Sequence, residues 1–176
     1  MTTTAPLTAP GPAAGPVTAA GTVLAVLGNL GVERAIGVPD SQLSDVLAAI
    51  GGRMPVDFTV REDIAVAIAF GLELAGHRGA VFMKNAGLGT SLDSLISLAI
   101  AAQVPVLLVI GWAGSGRDTL GHHVVMGERS TALLDAAGIS YDIVCRRGQP
   151  GDAARFSARA AAAIQRRCPY ALLVQP

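Results

Sequence analysis

Two kinds of hydrophobic pattern alternate along the chain. Segments with apolar residues at helical spacing are separated by short apolar, β-branched runs, and residues 104–110 (VPVLLVI) are typical of a strand buried on both faces. The helical spacing predicts helices over 17–30, 41–50, 62–75, 91–102, 127–137 and 152–166. The shorter runs predict strands over 33–37, 56–60, 80–84, 104–110, 140–144 and 171–174.

This alternation predicts an α/β fold class, a doubly wound, mostly parallel six-stranded sheet with helices on both faces. We expect one domain over residues 17–176. Residues 1–16 are rich in Thr, Ala, Pro and Gly and lack a basic n-region, which predicts a flexible tail and no signal peptide. Ligands of such sheets lie at the carboxyl ends of the strands, here segments 38–42, 61–63, 85–91 and 111–124.

The composition restricts the classes of partner. Of 176 residues, 51% are hydrophobic and 15% charged, with 13 basic and 13 acidic residues. A balanced charge attracts neither nucleic acid nor an anionic membrane, so we expect neither, whereas the apolar excess fits an interface with another chain. Cys145 and Cys168 lie far apart without CxxC spacing, which predicts a reducing cytoplasm and a soluble protein with no zinc site.

Glu62 is the first candidate for chemistry, because it follows a predicted strand and opens a predicted helix. An acidic residue there complements the helix dipole, and position alone favours that structural role. The alternative is a carboxylate available to a ligand at the edge of the sheet. Small residues that follow in the helix would let another surface approach closely; they are Ala65, Ala67, Ala69 and Gly71.

Residues 85–91 (NAGLGTS) are predicted to form a glycine loop between a strand and a helix, and amides in such a turn can bind an anion. The segment lacks the GKS or GKT of a P-loop and the third glycine of the dinucleotide fingerprint. A tight strand-to-helix turn needs glycine in any case, so this signal alone is weak.

Five further side chains fall at the same edge. His122 and His123 are predicted in a polar loop, where proton transfer is favoured over metal binding because no third ligand has suitable spacing. Asp40 and Ser41 suit a helix N-cap. Lys84 ends an apolar strand and either reaches solvent or faces an anionic ligand.

Several segments together resemble the pyrimidine-binding (PYR) domain of thiamine-diphosphate enzymes, and are most similar to sulfopyruvate and phosphonopyruvate decarboxylases. They are GVPDSQL (37–43), REDIAVAIAFG (61–71), VFMKNAGLGTSL (81–92), VPVLLVIGWAG (104–114) and HHVVMG (122–127). The resemblance implies that Glu62 contacts the N1′ atom of the cofactor's aminopyrimidine ring. It also implies that the cofactor is bound by Asn85, Gly87, Leu88 and Gly89.

The resemblance implies a substrate region as well. It gives catalytic roles to Asp40, His122 and His123, with a histidine either binding the terminal anion of the substrate or transferring a proton. Ser41, Lys84 and His123 are implied to contact substrate. Two positions depart from the family pattern, since Lys84 stands where glutamine is usual and Ala86 replaces a serine.

The GDG…Asn motif, which binds diphosphate and Mg²⁺ in this superfamily, has no counterpart in the chain. Only Gly151-Asp152-Ala153 resembles it, and Asn85 is the last asparagine. The resemblance therefore implies an α subunit without a metal site. Its β subunit would carry the diphosphate-binding (PP) domain, the GDG…Asn motif and Mg²⁺, in an α₂β₂ assembly or a multiple of it.

The implied activity is decarboxylation of a 2-oxo acid, 3-phosphonopyruvate or 3-sulfopyruvate, to the corresponding acetaldehyde. Carboligation by the same cofactor is an alternative, because the acceptor pocket lies partly on the absent subunit. A non-catalytic scaffold subunit of the same fold is the alternative from a different class.

Overall fold

A computed structural model describes residues 17–116 and 118–176, so the predicted tail lies outside the described residues. The strands are β1 (Arg34–Gly37), β2 (Val56–Phe58), β3 (Gly79–Lys84), β4 (Leu107–Gly111), β5 (Ser140–Val144) and β6 (Tyr170–Val174). The helices are α1 (Ala19–Asn29), α2 (Ser44–Gly51), α3 (Glu62–Leu74), α4 (Asn85–Ser94), α5 (Gly121–Ala136) and α6 (Asp152–Gln165). A 3₁₀ turn (Ser41–Leu43) precedes α2, and a π-helical stretch (Leu95–Ile100) continues α4.

In the described part of the chain, the strands form one six-stranded sheet in the order β2-β1-β3-β4-β6-β5. Every neighbouring pair is parallel. The predicted fold class is confirmed, and the sheet is wholly parallel where a mostly parallel one was predicted. All carboxyl ends therefore lie at one edge of the sheet.

Two apolar layers cover the faces of the sheet. Helices α1, α2 and α6 pack on one face, whereas α3, α4 and α5 pack on the other. Successive residues of β3 contribute to opposite layers, with Phe82 in the first and Val81 and Met83 in the second. This placement explains why the central strands are apolar at every position.

Two predicted loops at the carboxyl edge are helical in the structure, and both predictions were wrong. Helix α4 begins at Asn85, directly after β3, so the glycine segment forms the first turns of a helix. Glycine disfavours helices locally, but packing of α4 against α3 outweighs that preference. Helix α5 begins at Gly121 and not at Gly127, which places both adjacent histidines in its first turn.

Three further properties concern classes of site. Within the described ranges, no helix combines the length and apolarity needed to cross a bilayer. Cys145 and Cys168 are both free thiols, and Cys145 is exposed. No three side chains of the types that ligate metals converge among residues 17–116 and 118–176.

Candidate cofactor and substrate site

The carboxyl edge of the sheet brings together candidate residues from four strands. The chain leaves β2 toward Glu62, β1 toward Asp40, β3 at Lys84 and β4 toward Trp112. Because β2, β1, β3 and β4 are consecutive in the sheet, Glu62, Asp40 and Lys84 lie along one edge as a polar row, with Trp112 beyond them.

Glu62 lies directly on the first turn of α4. A methyl group added at Gly87 would lie 2.5 Å from the Glu62 Cδ atom and 2.6 Å from Oε1, so the carboxyl group can keep this position only beside a glycine. The nearby cation Arg61 pairs with Asp63 instead, at 2.9 and 3.0 Å. Among the described residues, the half-buried Glu62 carboxyl group accepts no hydrogen bond, so its oxygens are available to a ligand.

A hydrogen-bonded relay lies at the same edge of the sheet. The Nδ1 atom of His123 lies 2.7 Å from Asp118 Oδ2, and its Nε2 atom lies 2.9 Å from the ammonium nitrogen of Lys84. Asp118 Oδ2 also accepts hydrogen bonds from the Gly114 amide at 3.0 Å and the Gln42 side-chain amide at 2.8 Å. The relay thus joins the ends of β1, β3 and β4 to the start of α5.

The protonation of Asp118 sets the direction of this relay. The hydrogen bond from the Gly114 amide lowers the pKa of Asp118 to about 2, and further donors, including His123 and Gln42, act in the same direction against its burial. An ionised Asp118 accepts from Nδ1–H of His123. The Nε2 atom is then left as the acceptor for the Lys84 ammonium.

The lowered pKa of Asp118 predicts a stability change in acid. Its folded-state pKa of about 2 lies below the ordinary 3.8, so the relay stabilises the fold above pH 3.8 and that contribution is lost as the pH falls toward 2. In urea unfolding between pH 5 and pH 2.5, the free energy of unfolding of the wild type should approach that of Asp118→Asn as the pH falls. Asp135→Asn, at an exposed residue, serves as the control. A difference in free energy of unfolding between the wild type and Asp118→Asn that stays constant with pH would contradict the prediction.

Asp40 has a structural role and a free oxygen. Its Oδ1 atom accepts the Gln42 backbone amide at 3.3 Å, which confirms the predicted N-cap, here of the 3₁₀ turn. The residue is 7% exposed, and its Oδ2 atom is buried without a hydrogen-bond partner. That oxygen packs against Gly111, where a methyl group would collide with it. A buried carboxylate oxygen without a donor is costly unless a ligand satisfies it.

The loop after β4 fixes the position of His123 by packing on α5. Trp112 donates its indole N–H to the Gly127 carbonyl at 2.9 Å, and a methyl group at Gly127 would lie 2.6 Å from the Ala113 carbonyl oxygen. Asn85, which is fully buried, donates to that Ala113 carbonyl at 2.9 Å and to Ser130 Oγ at 2.9 Å. Asn85 therefore ties the end of β3 to the loop and to α5.

An open groove continues from the relay toward β5. It has a volume of about 1390 Å³, and its lining includes Ser41, Gln42, Asp118, His123, Arg146 and Arg147. Glu62 and Gly87 do not line it. The edge therefore has two parts, the Glu62 carboxyl group packed on Gly87 and a groove whose lining includes His123, Arg146 and Arg147.

The family model for the thiamine pyrophosphate enzyme, N-terminal TPP binding domain, matches residues 17–133, well over half of the chain. The chain belongs to this TPP-binding domain family. Thiamine pyrophosphate, or TPP, is another name for thiamine diphosphate. The matched segment runs from α1 into α5 and includes Glu62, Gly87, Lys84 and His123.

Curated relatives of this TPP-binding domain include proteins named as decarboxylases and others named indolepyruvate oxidoreductase subunit IorA. Sulfopyruvate decarboxylase of Methanosarcina acetivorans is 25% identical over 69% of this chain and 32% of its own length. Sulfopyruvate decarboxylase subunit alpha of Methanococcus maripaludis is 27% identical over 63% of this chain and 68% of its own. Phosphonopyruvate decarboxylase of Streptomyces viridochromogenes is 29% identical over 86% of this chain and 39% of its own. The chain thus spans well under half the length of the first and third relatives.

A solved structure is similar in fold. A chain of 2-oxoglutarate:ferredoxin oxidoreductase from Magnetococcus marinus matches 90% of this chain and 29% of its own length, with a TM-score of 0.66 and 14% sequence identity. At that identity, the match supports the fold of the TPP-binding domain and carries no statement about the reaction.

The structure places the other predicted site residues of the TPP-binding domain outside the hydrogen-bonded relay. His122 is exposed, and its ring centroid lies 4.3 Å from that of His123. Leu88 is fully buried in the core, whereas no atom lies within 4 Å of the space beside Gly89. Asp118 was not predicted as a site residue, although a carboxylate five positions before a histidine is a signal that could have indicated it.

Proposed function

We propose that this chain is the pyrimidine-binding α subunit of a two-subunit, thiamine-diphosphate-dependent 2-oxo acid decarboxylase. One observation carries the proposal: the Glu62 carboxyl group is held on Gly87 with its oxygens free of protein donors. A carboxyl group that only completed a helix end would not require a glycine on the facing helix. The match to a TPP-binding domain supports a role of this group toward the cofactor.

The residues present fit the cofactor's pyrimidine ring. Glu62 would hold a proton at ring atom N1′, and Gly87 would let the ring and carboxyl group approach α4 closely. When bound, thiamine diphosphate supplies the electron sink that 2-oxo acid decarboxylation requires. The chain's own residues would orient the ring, exclude water and supply charge at the substrate. Asp40 and His123 would act on the substrate side of the row, where Asp40 Oδ2 still lacks a donor.

The substrate class follows from the relatives and the basic groups near the site. Relatives are named for sulfopyruvate and phosphonopyruvate, both 2-oxo acids with a second anionic group. Lys84 lies at the relay, and Arg146 and Arg147 line the groove. The proposed reaction releases CO₂ from 3-sulfopyruvate or 3-phosphonopyruvate and leaves the corresponding acetaldehyde.

An exposed apolar surface on α3 supports a partner chain. Its residues follow one another at helical spacing and are Ile64, Ala67, Ile68, Gly71 and Leu74. Phe58 and Val60, 64% and 87% exposed, lie before α3, so the surface continues to Glu62. Apolar surface of this kind marks an interface. Ala65 and Ala69, on the opposite side of α3, are buried in the core.

We propose that the α3 surface binds a β subunit that holds the diphosphate and Mg²⁺ through a GDG…Asn motif, in an α₂β₂ assembly or a multiple. Two relatives with subunit names support this arrangement. The proposal places the partner next to Glu62, so the cofactor would be shared by the two chains.

Ile68→Asp should abolish or strongly weaken association with the β subunit, because it places a charge at the centre of the apolar α3 surface. Co-purification and gel filtration of the two chains measure the effect. Ile143→Asp is the matched control, since Ile143 is exposed to a similar degree (39% against 43%) but lies on β5 at the far edge of the sheet. Equal association of both variants would show that the α3 surface is not the interface.

The proposed reaction is tested by reconstitution. The chain is combined with a candidate β subunit carrying GDG…Asn, thiamine diphosphate and Mg²⁺, and CO₂ release is measured with sulfopyruvate, phosphonopyruvate and pyruvate. The expected result is cofactor-dependent CO₂ release that neither chain gives alone. If the assembled chains bind no thiamine diphosphate, the chain is a scaffold subunit and the proposal is wrong.

A further inference from the structure

Lys84 has hydrogen-bond donors that the fold does not use. It ends β3, is half-buried, and donates to His123 Nε2 at 2.9 Å. An ammonium group carries three N–H donors. Among residues 17–116 and 118–176, no carboxylate forms an ion pair with Lys84 and no second hydrogen bond is made. Two donors therefore remain for a ligand or solvent.

The relay holds the ammonium group in place through its acceptor. Asp118 fixes Nδ1 of His123, and Asp118 is itself fixed by Gln42 and the Gly114 amide. The imidazole is therefore anchored on one side and presents a lone pair on the other. His123 is 14% exposed at its side chain, so this anchor lies mostly out of solvent. Such a second layer of hydrogen bonds orients the group that contacts a ligand.

Two carboxylates lie at the same edge of the sheet as Lys84. Asp40 and Glu62 are carboxylates of the same polar row, and neither is paired with a cation among the described residues. An anionic ligand that approached the row without Lys84 would meet an excess of negative charge.

We propose that Lys84 determines the specificity of the site for a 2-oxo acid that carries a second, tetrahedral anionic group, and that Asp118 and His123 are its positioning residues. A sulfonate or a phosphonate offers three oxygen acceptors, which the two remaining donors of Lys84 can bind without breaking the bond to His123. This inference rests on the proposed function, because it names the substrate class of the same site.

Selectivity between substrates tests the inference in the reconstituted enzyme. Lys84→Met should raise KM for sulfopyruvate and phosphonopyruvate by about tenfold or more relative to any change in KM for pyruvate, which lacks the second anion. Lys84→Arg keeps the charge and should retain most of the preference. The two anionic substrates, assayed separately, distinguish the sulfonate from the phosphonate.

An equal loss on all three substrates would mean that Lys84 only balances the neighbouring carboxylates, and the inference would be overturned. An unchanged preference in Lys84→Met would overturn it as well. Asp118→Asn tests whether Asp118 positions Lys84 or only stabilises the fold. A positioning role predicts a larger rise in KM for the anionic substrates than for pyruvate.

A second measurement does not depend on decarboxylation. Sulfate is titrated into the full chain at constant ionic strength, and the imidazole signals are followed by NMR with ¹⁵N-labelled histidine. His123 should shift saturably in the wild type and in Lys84→Arg but not in Lys84→Met. His77, which pairs with Glu33 ahead of β3, is the internal control for intact folding and should not move.

The two measurements separate failure of the inference from failure of the proposed function. A wild type that responds to sulfate through Lys84 but decarboxylates none of the three substrates contradicts the proposed function alone. Identical sulfate responses of the wild type and Lys84→Met overturn the inference, whatever the activity.

Discussion

Glu62→Gln is expected to lower the decarboxylation rate of the reconstituted enzyme by about 10²- to 10³-fold. The amide has the same shape as the carboxyl group, so its packing on Gly87 is preserved. It cannot hold a proton at the ring nitrogen as a carboxylate does, and the effect should appear in kcat more than in thiamine-diphosphate affinity. CO₂ release and cofactor titration, measured on the same preparation, distinguish the two.

Asp63→Asn is the matched control for this substitution. Asp63 is the next residue in the first turn of α3, so each substitution removes one negative charge from the same helix terminus. Either substitution should therefore lose a similar and small amount of helix-dipole stabilisation. Asp63→Asn should retain near wild-type activity although it breaks the pair with Arg61. Equal losses in both variants would falsify the catalytic assignment and leave Glu62 as a helix-end charge.

Gly87→Ala is expected to lower activity by about 10²-fold, because a displacement of roughly 1 Å at a catalytic group has an effect of that size. The added methyl group would lie 2.5 Å from Glu62 Cδ, a distance that side chains do not tolerate, so the carboxyl group must move. Alanine favours the helix over glycine, so the variant should remain folded. Thermal unfolding and CO₂ release measure the two effects separately.

Two comparisons make this prediction specific. Gly28→Ala changes a helical glycine of α1 beside which no atom lies within 4 Å, and it should leave activity unchanged while stabilising the fold by about 0.5–1 kcal/mol. In a Glu62→Gln background, Gly87→Ala should add little further loss, since both substitutions act on one contact. Fully additive losses would show that Gly87 acts independently of Glu62.

The fold could be predicted from the sequence because its signals are local. Apolar runs such as 104–110 indicated strands buried on both faces, and all six strands lie where the pattern put them, with ends shifted by a few residues. The largest shift of a helix start, six residues, occurs at α4 and again at α5. The first turn of α5 contains Gly121 and the β-branched Val124 and Val125, which weaken the helical signal, whereas contacts from the loop after β4 support it.

The candidate site could be predicted only in part. Glu62 and the glycine segment lie in recognisable motifs, but the contact of Glu62 with Gly87 depends on the packing of α3 against α4. The relay joins Gln42 to Asp118, 76 positions apart, and Lys84 to His123, 39 positions apart. No local pattern reports such pairs, and they exist because parallel strands bring their carboxyl ends to one edge.

The proposed role of the exposed side of α3 also has a consequence for the amounts of the two proposed chains in the cell. A copy of this chain made without its partner would present the apolar α3 surface to chaperones and proteases. Surplus copies would be degraded, and the scarcer chain would set the amount of enzyme. Because Glu62 begins the same helix, the surface that marks an orphan copy is the surface whose covering would complete the cofactor site.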